Sequence, residues 1–179
     1  MGLTLVTGPI ATAVTLAEVK AQAGIESADW DALLTADIAA ATELIERRTG
    51  SSICGQAWRL TLDVFPAVVQ LPGGPVTAVS SITYRDSAGI VRTLSSAAYI
   101  VDLVSVPGRI MPATAWPATD GQIGGVTVDF QTGFQTVPAL LKKAIITTVS
   151  AWYRDRESGD LPAGVVAMLN GYTRSWGFA

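Results

Sequence analysis

The residues of this chain that could take part in catalysis are a few carboxylates and one thiol. The sequence contains no histidine, which is the side chain that most often serves as a general base, a zinc ligand or the activator of a serine or cysteine nucleophile. Cys54 is the only cysteine, so it cannot form an internal disulfide and has no histidine to activate it. We therefore expect Cys54 to be a buried packing residue in a reducing compartment.

Paired carboxylates are the acid–base arrangement that this composition leaves open. The candidates are Asp29 with Asp31, Glu43 with Glu46, and Asp63. The two paired aspartates fall in the first turn of a predicted helix, where the helix dipole favours negative charge. The two glutamates stand at helical spacing beside Arg47 and Arg48, which is typical of a surface charge network.

The glycine-rich segments have the composition of turns. Gly73-Gly74 lies between prolines and has no following lysine, and Gly124-Gly125 opens a predicted strand instead of a helix. Neither matches a phosphate-binding loop. A calcium loop would need alternating acidic residues, which the sequence lacks. We therefore expect no cofactor, no metal site and no enzymatic activity.

The composition indicates that much apolar surface must be covered. Hydrophobic residues make up 49% of the chain and charged residues 15%, with a mean hydropathy of +0.39. No apolar run approaches the roughly 20 residues that span a bilayer, so we expect no membrane contact. We expect partner proteins to bury the apolar surface instead. A small Ala- and Val-rich globule is the alternative. The net charge of −3 and the pI of about 4.8 argue against a protein that wraps nucleic acid.

Hydrophobic periodicity predicts three helices. They cover residues 15–24, 28–49 and 138–156. Thr15 and Glu18 have the spacing of a capping box. Ser27 is expected to cap the second helix and Gly50 to end it in the left-handed conformation. Pro138 suits the first turn of the third helix, where its missing N–H is not needed.

Between the second and third helices the periodicity changes to that of strands. The predicted β region covers residues 56–131, with strands near 58–63, 76–84, 98–101, 109–111 and 125–131. The turn residues Asp86 to Gly89 predict a hairpin between 82–84 and 90–91. Loops are expected at 71–75 and over much of 107–125, and the second is long enough to form an interface.

The order of these elements predicts an α+β fold: a helical core (two long helices plus a short N-terminal one) with a small antiparallel β-sheet or hairpin insertion and a C-terminal tail. The expected organisation is one domain over 1–160 and a tail over 161–179, partly helical near 162–170. The tail contains residue types that dominate binding hot spots. They are Tyr172, Arg174, Trp176 and Phe178. A tail that docks on a neighbouring protein and one that folds back on its own domain remain equal alternatives.

Several segments together resemble a known family. They are Val14 to Lys20, Ile45 to Gly50 and Gln56 to Pro66, followed in the same order by Leu71 to Pro75, Ser81 to Asp86, Tyr99 to Asp102, Trp116-Pro117, Val126 to Phe134, Val137-Pro138 and Ala151 to Glu157. In this order they resemble the head-tail connector (adaptor) family of long-tailed bacteriophages and gene transfer agents. Each motif is weak alone, and the shared order from about residue 14 to 157 gives the resemblance its specificity.

The resemblance implies a structural virion protein of the neck, present in the host cytoplasm before assembly. Such a protein forms a homo-oligomeric ring, typically of about twelve copies, that docks on the portal protein and extends the DNA channel. Double-stranded DNA would pass through the lumen without specific binding, and the ring would offer an attachment surface to the stopper or tail terminator protein. The last twenty or so residues lie outside the resemblance, and their aromatic side chains and Arg174 are our hypothesis for residues that bind the portal or another partner.

Three alternatives to the connector remain. Another neck or tail component, such as a stopper or tail terminator, would share the ring but not this motif order. A carboxylate-dependent virion hydrolase would need an acid pair, and a carbohydrate- or protein-binding module would be monomeric and functional alone.

Overall fold

The computed structural model describes residues 1–155, 159–170 and 172. The chain divides into two compact units, each assembled from two stretches of sequence. The β unit comprises Met1–Ile10 and Gly55–Gly133, and the helical unit comprises Ala11–Cys54 and Phe134–Ala179. Each unit therefore joins segments that lie far apart in the sequence. The predicted division into a domain over 1–160 and a tail over 161–179 stays a prediction.

Four helices form the described part of the helical unit. They are α1 (Leu16–Ala23), α2 (Asp31–Thr49), α3 (Ala139–Asp155) and α4 (Ala163–Leu169). The fully buried apolar residues of α2 and α3 recur at helical spacing because one stripe of each helix faces the core. These residues are Leu34, Ala41, Ile45, Leu141, Ala144, Ile145 and Val149. The three predicted helices are confirmed, with their described ends within three residues of the predicted bounds.

The predicted caps of α1 and the end of α2 are confirmed. Thr15 and Glu18 form the capping box, with the Thr15 N–H donating to Glu18 Oε2 at 2.6 Å and the Glu18 N–H donating to Thr15 Oγ1 at 3.2 Å. The bond from the Thr15 backbone lowers the pKa of the Glu18 carboxyl. Gly24 and Gly50 follow α1 and α2 with φ of 68° and 65°, a conformation that a side chain disfavours.

The predicted cap of α2 was wrong. Ser27 Oγ accepts from the backbone N–H of Asp29 at 3.1 Å and donates to the Asp29 carboxylate at 2.6 Å, so it closes a turn ahead of the helix. The helix begins at Asp31, after an N-cap at Trp30 that makes no side-chain capping bond. Because this turn occupies residues 28–30, only Asp31 of the two aspartates lies in the first helical turn.

The β unit contains two antiparallel sheets instead of the single small sheet that the sequence predicted. The strands are β1 (Gly2–Thr7), β2 (Gln56–Leu62), β3 (Val69–Leu71), β4 (Val76–Arg85), β5 (Val91–Thr93), β6 (Tyr99–Asp102), β7 (Gly108–Pro112) and β8 (Val126–Thr132). One sheet has the order β1-β2-β8-β4-β5 and the other β3-β7-β6. Strands β1 and β3 were not predicted. With four helices, these sheets confirm the mixed α+β class.

The two sheets share one apolar core. The larger sheet contributes Leu60, Leu62, Val76, Ile82, Val126, Val128 and Phe130, and the smaller contributes Val69, Leu71 and Ile110. The long predicted loop, which includes β7, is held down on this unit. Trp116 stacks on Phe65 with ring centroids 4.5 Å apart and donates its indole N–H to the Pro66 carbonyl at 2.7 Å. Arg85 pairs with Asp120 at 3.1 Å.

The hairpin predicted around Asp86 is confirmed as β4 and β5. The Asp86 Oδ1 atom accepts from the N–H groups of Ala88 and Ile90, both at 3.0 Å, and Gly89 has a φ of 78°. Arg92 Nε donates to the other carboxylate oxygen at 2.7 Å, which lowers the pKa of Asp86. One carboxylate thus accepts from two backbone N–H groups of the turn and from the Arg92 side chain.

Candidate functional site

The aspartates that could have served acid–base chemistry are engaged in local structure. The Asp31 carboxylate pairs with Lys20 Nζ at 2.6 Å, and the same ammonium group donates to the Ser27 carbonyl at 2.9 Å. The Asp29 carboxylate accepts from Ser27. Asp63 Oδ1 accepts from the Gly124 N–H at 2.9 Å. Asp29 and Asp31 thus hold the segment ahead of α2 and its first turn, and Asp63 links the chain after β2 to the loop before β8.

The two glutamates of α2 also have structural partners. Glu43 and Arg47 form an exposed i, i+4 pair at 3.6 Å, as the sequence predicted. Glu46 Oε1 instead accepts from the backbone N–H of Ile53 at 2.6 Å and so fixes the chain after α2. Cys54 is buried, and burial raises the pKa of its thiol, with a further contribution from Glu46.

The described residues contain no group of three or more acidic, cysteine or histidine side chains placed to hold a metal ion. None of the helices in this part of the chain combines the length and the apolar character that a bilayer crossing requires.

The predicted binding residues of the tail are only partly described. Tyr172 is half-buried and packs against the helical core, and its backbone N–H donates to the Leu169 carbonyl at 2.8 Å. Arg174, Trp176 and Phe178 lie outside the described residues. Ahead of them, α4 buries Val165 and Leu169 completely in the core of the helical unit.

A groove runs over the surface of the helical unit between α2 and the end of α3. We name it the aromatic groove; it has a volume of about 740 Å³ and is lined by Trp30, Leu33, Asp37, Ala40, Glu43, Leu44, Arg47, Trp152, Tyr153 and Gly159. The rings of Trp30 and Tyr153 meet edge to face, with centroids 5.8 Å apart. Burial raises the pKa of Asp37, which makes no hydrogen bond or ion pair with the described residues.

Sequence reasoning missed this groove although a signal was present. Leu33, Asp37, Ala40 and Leu44 recur at spacings of four, three and four residues, which places them in one stripe along α2. This stripe is separate from the buried one that includes Leu34. Three of the four residues in the stripe along the groove are apolar, which is more than the core-facing stripe of the helix requires.

The β6–β7 hairpin is a second surface feature that the sequence did not reveal. Asp102 Oδ1 accepts from the N–H groups of Val104 and Ser105, both at 3.0 Å, and Oδ2 accepts from Ser105 Oγ and Arg109 Nη2, both at 2.6 Å. These bonds hold the pKa of Asp102 well below its usual range. The apex nevertheless exposes apolar side chains, and Val104 is 94% exposed.

The edge strand β1 is a third exposed feature. All six residues of Gly2–Thr7 are exposed, including Leu3 and Leu5. Leu3 pairs with Leu60 and Leu5 with Trp58 on β2, so both lie on the face of the sheet that continues into the core of the β unit. The smaller sheet has three strands and the larger has five. The smaller sheet is therefore too narrow to cover the whole inner face of the larger one, which accounts for the exposure of β1.

The aromatic groove, the β6–β7 apex and β1 all expose apolar side chains, and such patches commonly mark sites of contact with other proteins. Several of the described carboxylates, by contrast, accept hydrogen bonds that hold turns and link segments of the fold. The family model of the phage gp6-like head-tail connector protein matches residues 13–104, which is 92 of the 179 residues. The chain belongs to this head-tail connector family and is a structural connector of the virion neck.

Solved structures agree with the family. A chain in the neck of the empty gene transfer agent particle, computed with C6 symmetry, is 27% identical, with a TM-score of 0.77 over 96% of this chain and 95% of that chain. A chain in the virion of the native particle is 26% identical, with a TM-score of 0.76 over 96% and 95%. A chain in the native neck with C12 symmetry is 27% identical, with a TM-score of 0.71 over 96% and 94%. A search among curated proteins found no match.

Proposed function

We propose that this connector assembles as a closed ring of identical copies, about twelve in number, below the portal of a filled head. The observation that carries the proposal is the match, over 96% of the chain, to a chain in a particle neck computed with C12 symmetry. Surfaces that differ between the two sides of a copy produce heterologous contacts, which close into a ring when the rotation is correct.

The ring extends the DNA channel and does so without an enzymatic activity. The chain is acidic, with a net charge of −3 and a pI of about 4.8. An acidic wall repels the phosphates of passing DNA, so double-stranded DNA slides through without specific binding. The lower rim of the ring then offers the attachment surface for the stopper or tail terminator.

The C-terminal residues anchor the ring on the portal protein. Tyr172, Arg174, Trp176 and Phe178 are the proposed anchors because aromatic and arginine side chains supply most of the energy in protein interfaces. The anchor segment begins after α4, since Val165 and Leu169 are part of the core of the helical unit. Tyr172 lies at the junction, packed on that core.

A truncation that removes residues 173–179 tests the anchor without removing the buried residues of α4. We expect producing cells to make heads that are filled with DNA but carry no tails, seen by electron microscopy. The double variant Trp176→Ala/Phe178→Ala should show the same defect as the truncation. Ser175→Ala is the matched control and should give normal tailed particles. Normally tailed particles from the truncated chain would show that the portal is held elsewhere.

Cryo-electron microscopy of the particle neck tests the ring itself. We expect density for this chain directly below the portal, with rotational symmetry about the channel. Density at the level of the stopper or tail terminator would instead identify the chain as another neck or tail component.

A further inference from the structure

The aromatic groove and the apex of the β6–β7 hairpin are two apolar surfaces that the core of neither unit requires. The hairpin apex comprises Leu103, Val104 and Val106, which are 37%, 94% and 47% exposed. We propose that the β6–β7 apex of one copy docks in the aromatic groove of a second copy. This inference rests on the proposed ring and names the surfaces that would close it.

Hydrogen bonds within the hairpin order the β6–β7 apex. Four hydrogen bonds of 3.0 Å or less reach the Asp102 carboxylate from its own hairpin, two of them from the backbone N–H groups of Val104 and Ser105. The apolar side chains are therefore presented on a loop with little remaining freedom. Binding by a preorganised loop loses less conformational entropy than binding by a mobile one.

A comparison with the other hairpin shows that this apolar apex is not needed for the turn. The β4–β5 hairpin is closed in the same way, with Asp86 accepting from two backbone N–H groups and from Arg92. Its apex, however, is Ser87-Ala88-Gly89, which suits exposure to water. Because the same closure works with a small, polar apex, the valine and leucine at the β6–β7 apex serve another purpose.

The aromatic groove matches the β6–β7 apex in apolar character and in charge. Its apolar lining includes Leu33, Leu44 and Trp152, and Asp37 adds a carboxylate that lacks a described partner. At the base of the apex, the side chain of Arg109 remains 49% exposed although it pairs with Asp102. A guanidinium group has five donors, so Arg109 can approach Asp37 of a neighbour without leaving its own hairpin.

The match to a chain in a neck computed with C12 symmetry favours a ring over a dimer in which two copies exchange the same contact. Each copy carries one apex and one groove, formed by different residues in different units. When such a contact runs head to tail it is heterologous, and every copy in a closed ring then uses both patches once. A second copy is therefore the occupant to which the structure points.

Site-specific cross-linking in assembled particles tests this contact. Two differently tagged chains, one with Val104→Cys and one with Ala40→Cys, are expressed together in producing cells, and the particles are oxidised. We expect a disulfide-linked dimer that carries both tags, because each chain alone has one introduced thiol and Cys54 is buried. Control pairs use Ile123→Cys, at another loop position that is 92% exposed, or Ala36→Cys, on α2 outside the groove lining.

The outcomes separate this inference from the proposed function. If the chain is present in necks but the Val104 and Ala40 thiols give no more dimer than the control pairs, the docking inference fails and the ring stands. If the chain is absent from necks, the proposed function fails. As a second measurement, Val104→Asp should lower the yield of tailed particles by about tenfold or more, while Ile123→Asp leaves it unchanged. Equal yields from the two variants would also overturn the docking inference.

Discussion

Arg109 Nη2 lies 2.6 Å from Oδ2 of Asp102, its register partner across the β6–β7 hairpin. The same carboxylate accepts from the Ser105 hydroxyl and from two backbone N–H groups. Hydrogen bonds to the charged form lower the pKa of Asp102, with Ser105 contributing most and Arg109 next. Several hydrogen bonds of this apex thus converge on one ionised carboxylate.

Replacing this carboxylate should loosen the apex. In Asp102→Asn we expect faster hydrogen exchange at the amides of Val104 and Ser105, because a neutral amide oxygen is a weaker acceptor than a carboxylate. The matched control is Asp86→Asn, which should accelerate exchange at Ala88 and Ile90 and leave the β6–β7 apex protected. Unchanged exchange at Val104 in the Asp102 variant would show that the strands alone order the apex.

The ion pair on the outer face of the larger sheet should make the β unit sensitive to acid. Arg59 donates to both oxygens of Asp129, at 2.7 and 3.0 Å, and this bond is the main cause of the lowered pKa of Asp129. A carboxyl whose pKa is lower in the folded state stabilises that state above its unfolded pKa of about 4, and the stabilisation is lost as the pH falls through the folded pKa.

Urea unfolding of Asp129→Asn measures that contribution. We expect a loss of about 1 kcal/mol or less at pH 7, because the pair is partly exposed. The difference from the wild type should shrink as the pH falls from 4 towards 2. Arg59→Lys keeps the charge but loses the two-point geometry, so it should show part of the loss. A difference that stays constant with pH would exclude the ion pair as its cause.

Asp37 should oppose the stability of the free subunit. Burial raises the pKa of this carboxyl, so its ionised form is disfavoured in the folded helical unit. The penalty grows as the pH rises from the unfolded pKa through the raised folded pKa, and it is fully present at neutral pH. Asp37→Asn should therefore raise the melting temperature at pH 7 and have little effect near pH 3.

The same substitution should weaken assembly if Asp37 meets a cation of a neighbouring copy. Sedimentation of purified necks and thermal melting of the free chain measure the two effects separately. Glu43→Gln is the control, because Glu43 lines the same groove but already pairs with Arg47. It should not raise the melting temperature. A destabilised Asp37→Asn chain would contradict the expected sign.

Helix α4 should behave as part of the helical core. Leu169 is completely buried, so Leu169→Ala should lower the free energy of unfolding by about 2 to 5 kcal/mol. The control Ala167→Ser changes an exposed position of the same helix and should cost less than about 1 kcal/mol. Denaturant unfolding followed by circular dichroism checks both. A loss below 1 kcal/mol for Leu169→Ala would indicate that α4 is dispensable for the core.

The sequence by itself determined the features that depend on neighbouring residues. The capping box of Thr15 and Glu18, the left-handed glycine at Gly50 and the turn at Asp86 each arise from hydrogen bonds or sterics within a few residues, so local spacing predicts them. The absence of histidine likewise excludes histidine-based catalysis on composition alone. Family membership followed from the order of weak motifs along the chain.

The tertiary structure alone decided which distant segments meet. Strand β1 escaped prediction because an exposed edge strand has no buried face to set a pattern, and only its pairing with β2, some fifty residues later, identifies it. The aromatic groove needs Leu33 of α2 beside Trp152 and Tyr153 of α3. Such contacts depend on how apolar faces of segments far apart in the sequence pack together. The spacing of residues within one segment carries no information about them.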